Sequence, residues 1–410
     1  MALTARQVER RFVLLTATRW TPVGVTLGLT VLLPLERGLS LAEVGSLMAI
    51  AGIVALALEL PTGGLADTIG RRPLLLLAGA VAVASTTIFV LAETVIWFAV
   101  ALVLQGAFRA LDSGALEAWF VDMLHADDPT ATPERGLSRS GAVLGVGISG
   151  GALAGGLLVA WHPVGAWSAL VLPFLVVIGE QLVHLVLVAV LVREPARVRM
   201  PEHPDAPPDG AARAAWRLLR TSPVLRLLVA VEVFWAVAMI AFETLTPVRL
   251  AELVGGEDAA GALFGPAASA AWALFAAGSA LAGLASRRFG VAATAMLARV
   301  LNGGFVVLMA FAGGALGLIV AFWLAYLTHG ANGPMHNALL HRQSGPGTRT
   351  LVLSINSAVA SGVASLALLV LLPLAESTST SLAFAVAGAF SLLGVACYLP
   401  AWRQERAAKL

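Results

Sequence analysis

The sequence predicts an all-α integral membrane protein with twelve transmembrane helices in two six-helix bundles and both termini cytoplasmic. Three observations predict it. First, of 410 residues 59% are hydrophobic and 12% are charged, whereas a soluble domain carries about 25% charged residues. So little charge cannot cover a water-exposed surface, which argues against a soluble enzyme, a disordered chain and a nucleic-acid binder. Second, twelve apolar runs are each about 20 residues or longer, enough to cross the hydrocarbon layer as helices. Their apolarity is continuous rather than alternating, so spanning strands are excluded. Third, of the 26 basic residues 21 fall on one side of the resulting topology. Only Arg37 and Arg249 fall opposite, and Arg19, Arg109 and Arg299 lie within spans. Short loops rich in arginine stay in the cytoplasm.

The spans are expected at residues 12–34, 43–62, 74–92, 95–120, 139–161, 166–192, 223–248, 259–285, 290–312, 315–340, 350–373 and 380–402. The N-terminal residues 1–12 are polar and carry no signal-peptide pattern. Between spans 6 and 7 five prolines punctuate a charged stretch, Pro195, Pro201, Pro204, Pro207 and Pro208. It reads as a linker over residues 193–222, leaving an N-terminal bundle at 1–192 and a C-terminal bundle at 223–410. Its last part, 211–221, alternates arginines with Trp216, Leu218 and Leu219, the pattern either of a short interfacial helix or of a plain solvated linker. One cysteine, Cys397, excludes a disulfide framework.

Charged groups inside spans cost roughly 2.5–3.5 kcal/mol each at mid-bilayer, so each is a functional candidate. Arg19 enters span 1 near one end, where snorkelling is the plain alternative to lining a cavity. In span 4, Arg109 and Asp112 stand one turn apart and are expected to form a cavity-facing charged pair. In span 6, Glu180 and His184 share a face, which suits either a proton relay or a static hydrogen-bonded pair. Span 7 carries Glu232 and Glu243 on nearly one face, with no base beside them in that helix. Span 10 carries His329, Asn332 and His336 as a polar stripe, and Asn356 lies in span 11. The stripe supplies no third ligand of a metal set, so we expect cavity lining and no metal. Arg299 and Asn302 in span 9 are weaker candidates, as likely to bond between helices. Trp20, Phe108, Trp119, Phe234, Trp235, Phe242 and Trp323 are candidate walls for a flat lipophilic ligand, or ordinary packing residues.

Three strings are specific. Between spans 2 and 3 runs Gly63-Gly64-Leu65-Ala66-Asp67-Thr68-Ile69-Gly70-Arg71-Arg72. It resembles the loop signature G-x-L-A-D-R-x-G-R-K of the major facilitator superfamily, departing at Thr68 and, mildly, at Arg72. Its glycines permit a tight turn, and Asp67 and Arg71 can make charge-assisted hydrogen bonds; a purely topogenic basic loop is the plain alternative. Asp122, at the end of span 4, is expected to meet Arg71, and Glu59 and Glu117 to join that network. In span 5, Gly147, Gly151, Gly155 and Gly156 resemble the family's antiporter signature G-x-x-x-G-P-x-x-G-G, with Ala152 where proline is expected. Close packing of small residues is the plain alternative there. In span 4, Gln105-Gly106 matches part of R-x-x-Q-G, with Leu102 in place of the arginine. A weak internal repeat relates residues 65–70 to 284–290, both between the second and third spans of their half.

The resemblance implies the superfamily's fold, a substrate site between the halves near the midplane and alternating access. It points to drug-efflux members: proton-coupled antiport of lipophilic or amphiphilic compounds. The alternative is an uptake symporter or uniporter for a metabolite. No nucleophile, metal or phosphate cluster is appended, so the chain is not expected to be an enzyme. The expected partners are a small-molecule substrate and the lipid bilayer, with no nucleic acid and no cofactor beyond the proton gradient. The expected setting is a multi-pass monomer in the cell (plasma or inner) membrane.

Overall fold

The structure, a computed structural model, describes residues 4–127, 130–193, 211–345 and 348–408. The side chains of residues 60, 63, 64, 66, 67, 127, 211, 212, 214, 215 and 350 are also outside that description. Among the described residues, twelve helices are long and apolar enough to cross a membrane. They are span 1 (Ala5–Glu36), span 2 (Leu41–Glu59), span 3 (Arg71–Leu91), span 4 (Val95–Ala126), span 5 (Glu134–Trp161), span 6 (Val171–Leu191), span 7 (Pro223–Val254), span 8 (Glu257–Phe289), span 9 (Val291–Ala310), span 10 (Ala315–Gln343), span 11 (Leu351–Ser377) and span 12 (Thr380–Ala407). No strand occurs among the described residues.

Four spans are interrupted where the sequence reads as a continuous run. Span 1 turns at residues 26–28, one turn after Pro22. Gly28, at φ 79°, takes a conformation there that L side chains rarely adopt and that ends the first helical segment. Span 4 breaks at Ser113 and Gly114. Span 7 contains a π-helical turn, Ala241–Leu245, and span 12 a 3-10 stretch, Gly394–Tyr398. The helix of span 2 continues to Ile69, so most of the first signature is helical and the turn is confined to Gly70. Of the expected linker, 194–210 lie outside the described residues, and Ala211–Thr221 forms a helix.

Two compact units comprise Met1–Arg199 with Val254–Ser269, and Met200–Leu253 with Ala270–Leu410. In unit one, span 1 packs on span 5, span 3 on span 4 and span 3 on span 6. In unit two the same order recurs: span 7 on 11, 9 on 10 and 9 on 12. The repeat extends to the backbone. Gly70 (φ 99°, ψ 163°) and Gly290 (φ 91°, ψ 161°) open spans 3 and 9 in one conformation that L side chains rarely adopt. Each unit has an apolar core of its own, around Phe12, Trp119 and Phe120 in one and Leu225, Leu340 and Tyr398 in the other.

Polar ends close the helices. Arg37 donates to the carbonyls of Val90 (2.7 Å) and Ala92 (2.5 Å), at the end of span 3. Arg249 reaches Ala312 O (3.4 Å), just past span 9, while paired to Glu252 at 2.7 Å. These are the two arginines that the topology sets apart from the basic side. Each satisfies carbonyls that a helix C-terminus leaves open.

Candidate functional site

Unit one lines a partly open cavity of about 230 Å³. Span 1 brings Arg19 to it, span 4 brings Gln105, Arg109 and Asp112, and span 6 brings Gln181 and His184. The expected pairing of Arg109 with Asp112 is replaced: Asp112 Oδ2 accepts from Arg19 Nε at 2.6 Å. The reason is packing. Asp112 ends the first helical segment of span 4 and faces span 1, whereas Arg109 is exposed and makes no described ion pair. The Arg19 guanidinium also lies 4.4 Å from the Phe108 ring centroid and 5.0 Å from that of Trp20, favourable cation–π distances. His184 is likewise drawn away from Glu180. Its Nδ1 shares a hydrogen bond with Thr18 Oγ1 at 2.8 Å, and Glu180 Oε2 is buried without a partner among the described residues.

Unit two holds a buried polar chain assembled from five spans. Glu232 (span 7) is 5% exposed, Arg299 (span 9) 2%, His336 (span 10) 2% and Asn356 (span 11) 8%. Glu232 Oε1 lies 3.1 Å from His336 Nε2 and accepts from Asn356 Nδ2 at 3.1 Å. Asn356 Oδ1 is also 3.1 Å from His336 Nε2. Both neighbours of Nε2 are acceptors, so Nε2 carries a hydrogen. His336 Nδ1 meets the Tyr398 hydroxyl from span 12 at 2.9 Å, and that hydroxyl accepts from Arg299 Nη2 at 3.4 Å. A carboxylate, an imidazole, a phenol and a guanidinium are thus connected in sequence. Arg299 Nε and Nη1 and Glu232 Oε2 find no hydrogen bond among the described residues. Such unpaired buried polar atoms are expensive and call for a functional account.

The other members of the span-10 stripe go elsewhere. His329 stacks on Trp235 (5.4 Å between centroids), with Phe242, Phe275 and Tyr326 around it. Asn332 is buried, and neither of its amide atoms is bonded among the described residues. Glu243 sits on the π turn of span 7 and accepts from the Tyr326 hydroxyl at 3.2 Å. A π turn shifts helical register and recurs at functional sites. Glu232 and Glu243, expected on one face, therefore serve separate clusters.

The span-5 glycines have a direct steric role. A Cβ at Gly151 or Gly155 would collide with the carbonyl oxygens of Thr21 or Val25 in span 1. Gly147 faces Thr21, and Gly156 faces Gly265 and Pro266 of the segment Val254–Ser269. Gly106 does the same between spans 4 and 2, where a Cβ would stand 2.5 Å from Ala51 O. In the first signature, Arg71 Nε is 3.6 Å from Asp122 Oδ2, and Arg72 donates to Ala189 O at 2.7 Å. The side chains of Gly63 and Asp67 lie outside the described residues. Glu59 and Glu117 are both exposed. Trp119, a candidate cavity wall, is 1% exposed in the core and donates to Arg193 O at 2.7 Å.

Sequence reasoning missed Tyr326, Tyr398 and Glu405. The chain has only two tyrosines, and both hydroxyls serve buried ionisable groups; their rarity was the available signal. Glu405 accepts from the amides of Val291 (3.0 Å) and Ala292 (2.8 Å) and pairs with Arg342 at 3.3 Å. It thereby brings a carboxylate to the second copy of the repeat, whose own acid is replaced by Ser286.

The description "Major Facilitator Superfamily" matches residues 13–315. A variant of the nucleoside transporter NupG superposes with a TM-score of 0.80 at 10% identity, covering 96% of this chain and 99% of that one. Another NupG structure gives 0.77 at 10% identity, covering 96% and 98%. A bacterial homolog of the human lysosomal transporter Spinster, inward-facing and unoccupied, gives 0.78 at 16% identity, covering 97% of each chain. No curated protein matches the sequence. These identities speak for the fold alone. The family match spans most of the chain, and twelve spanning helices in two units of repeated packing agree with it, so the chain belongs to the Major Facilitator Superfamily, a family of multi-pass membrane transporters rather than enzymes.

Proposed function

We propose that this transporter is a proton-coupled efflux antiporter of lipophilic or amphiphilic small molecules, working by alternating access between its N-terminal and C-terminal six-helix bundles. In this reading both termini are cytoplasmic, as the arginine asymmetry favours. The observation that carries the coupling is Glu232, buried and held by His336 and Asn356. As a carboxylate it balances the charge of Arg299 along the Tyr398–His336 chain. A proton arriving on Glu232 removes that balance and leaves a cation buried without a counter-ion. Rearrangement is then favoured over the current packing. Glu243, on the π turn, is the second carrier candidate; it touches only the neutral Tyr326 hydroxyl among the described bonds. Asp112 is less suited, because it is already paired with Arg19 at 2.6 Å. The efflux direction rests on the span-5 glycine signature. The Arg71–Asp122 pair would latch one end of the cycle.

The alternative, proton-coupled or uniport uptake of a small metabolite, is favoured by the polar lining in unit one, where Gln105, Gln181 and Thr18 face the cavity.

The test uses inverted vesicles with an acidic lumen and a pH reporter. Adding lipophilic compounds to the exposed cytoplasmic face should dissipate the gradient with the intact protein. Glu232→Gln should abolish this response while binding persists. If Glu232→Gln keeps the wild-type proton flux, the coupling site is misassigned. If metabolites instead drive proton entry into right-side-out vesicles, the protein is an uptake symporter.

A further inference from the structure

We propose that the unit-one cavity is built for a small aromatic anion, one ring bearing a single carboxylate or sulfonate. The inference deepens the efflux reading only in treating the occupant as cargo. Its first support is charge. Two arginines, Arg19 and Arg109, line the cavity with one acid, Asp112. Asp112 is already committed to Arg19 at 2.6 Å. Arg109 has no ion pair or hydrogen bond among the described residues, and Glu59, whose field reaches it, forms no described ion pair with it. The lining therefore carries one guanidinium more than it can neutralise. In a cleft lined by one sign of charge that surplus repels a cationic cargo and attracts an anionic one. A guanidinium also offers the planar fork that fits a carboxylate or sulfonate with two hydrogen bonds.

The second support is shape. Phe89 and Phe174, with ring centroids 5.2 Å apart, both line the same cavity, and Phe108 lies under Arg19. An apolar cavity of about 150 Å³ accommodates benzene. The space of about 230 Å³ here therefore takes one ring and a charged head. Arg109, exposed and uncommitted, is the natural first contact, and Arg19 can join it when Asp112 lets go.

Benzenesulfonate is a suitable probe, since it stays ionised and does not cross bilayers as a neutral acid. Benzenesulfonamide is its uncharged counterpart. Titration calorimetry on the purified full-length protein should show the sulfonate binding about tenfold or more tighter than the sulfonamide, the worth of hydrogen bonds to a charged group. Arg109→Gln should remove that preference without lowering the melting temperature, because no described ion pair is lost. Asp112→Asn should tighten sulfonate binding severalfold by freeing Arg19. Should Arg109→Gln fold poorly, Arg109→Lys, which keeps the charge and loses the fork, should weaken the sulfonate preference only in part. Equal binding of both probes, or a sulfonate affinity indifferent to Arg109→Gln, overturns the proposal. Flux in proteoliposomes separates this inference from the efflux reading. Arg109-dependent sulfonate binding with no gradient-driven movement of any compound supports the site and sinks antiport. Gradient-driven efflux of neutral lipophiles with no sulfonate binding sinks the site and leaves antiport standing.

Discussion

Asp112, half-buried, and Glu232, buried, are both carboxylates in spans, yet their partners make them different tools. Asp112 is locked by a guanidinium at 2.6 Å, whereas Glu232 shares an imidazole and an amide that can each rearrange. Removing one partner of a largely buried ion pair costs more than the pair contributes, because the survivor is left unpaired. Asp112→Asn should therefore lower stability by about 1–3 kcal/mol. Arg19→Gln combined with Asp112→Asn should recover part of that loss, and melting curves of the purified variants would show it. If the double variant is no better than the single, Arg19 is not left stranded in the way the geometry implies. The residue types were legible in the sequence and their pairings were not. Arg109 stands nearer to Asp112 along the chain than Arg19 does, but helix faces, rather than sequence distance, decide which charges meet.

At the scale of elements, the span-5 glycine string is a packing device. Its Cα atoms ride against the backbone of span 1, so a side chain at Gly155 has nowhere to go. Gly155→Val should destabilise the protein by about 1–3 kcal/mol, the usual cost of overpacking. Gly145→Ala in the same helix, with nothing within 4 Å of a Cβ, should be silent. Monodisperse yield and melting temperature of the two variants check this. Small-residue spacing was visible in the sequence. The π turn around Glu243 and the breaks in spans 1, 4 and 12 were not, since these runs are apolar on most faces and a shift of register leaves no gap in apolarity. The first signature shows the same limit: its glycines suggested a loop, but helix continues to Ile69 and the turn needs Gly70 alone.

Across the whole molecule, both the packing order of spans and the Gly70/Gly290 turns recur in the two units. The arginine asymmetry predicts which ends face the cytoplasm, and the single natural cysteine makes this directly measurable. In a Cys397→Ala background, Val164→Cys should react with a membrane-impermeant maleimide on intact cells. Thr4→Cys should react only after the membrane is opened. The reverse pattern would invert the topology and with it the direction assigned to efflux. What the sequence determined by itself is the number of spans, the basic asymmetry and the spacing of the glycines, because each is local in the chain and the bilayer imposes it helix by helix. Only the tertiary structure decided that Arg19 rather than Arg109 holds Asp112, that His336 and His329 part company, and that Tyr398 and Glu405 join the buried and terminal networks. Those outcomes depend on which faces of distant helices come together, and that is settled by the packing of the assembled bundle.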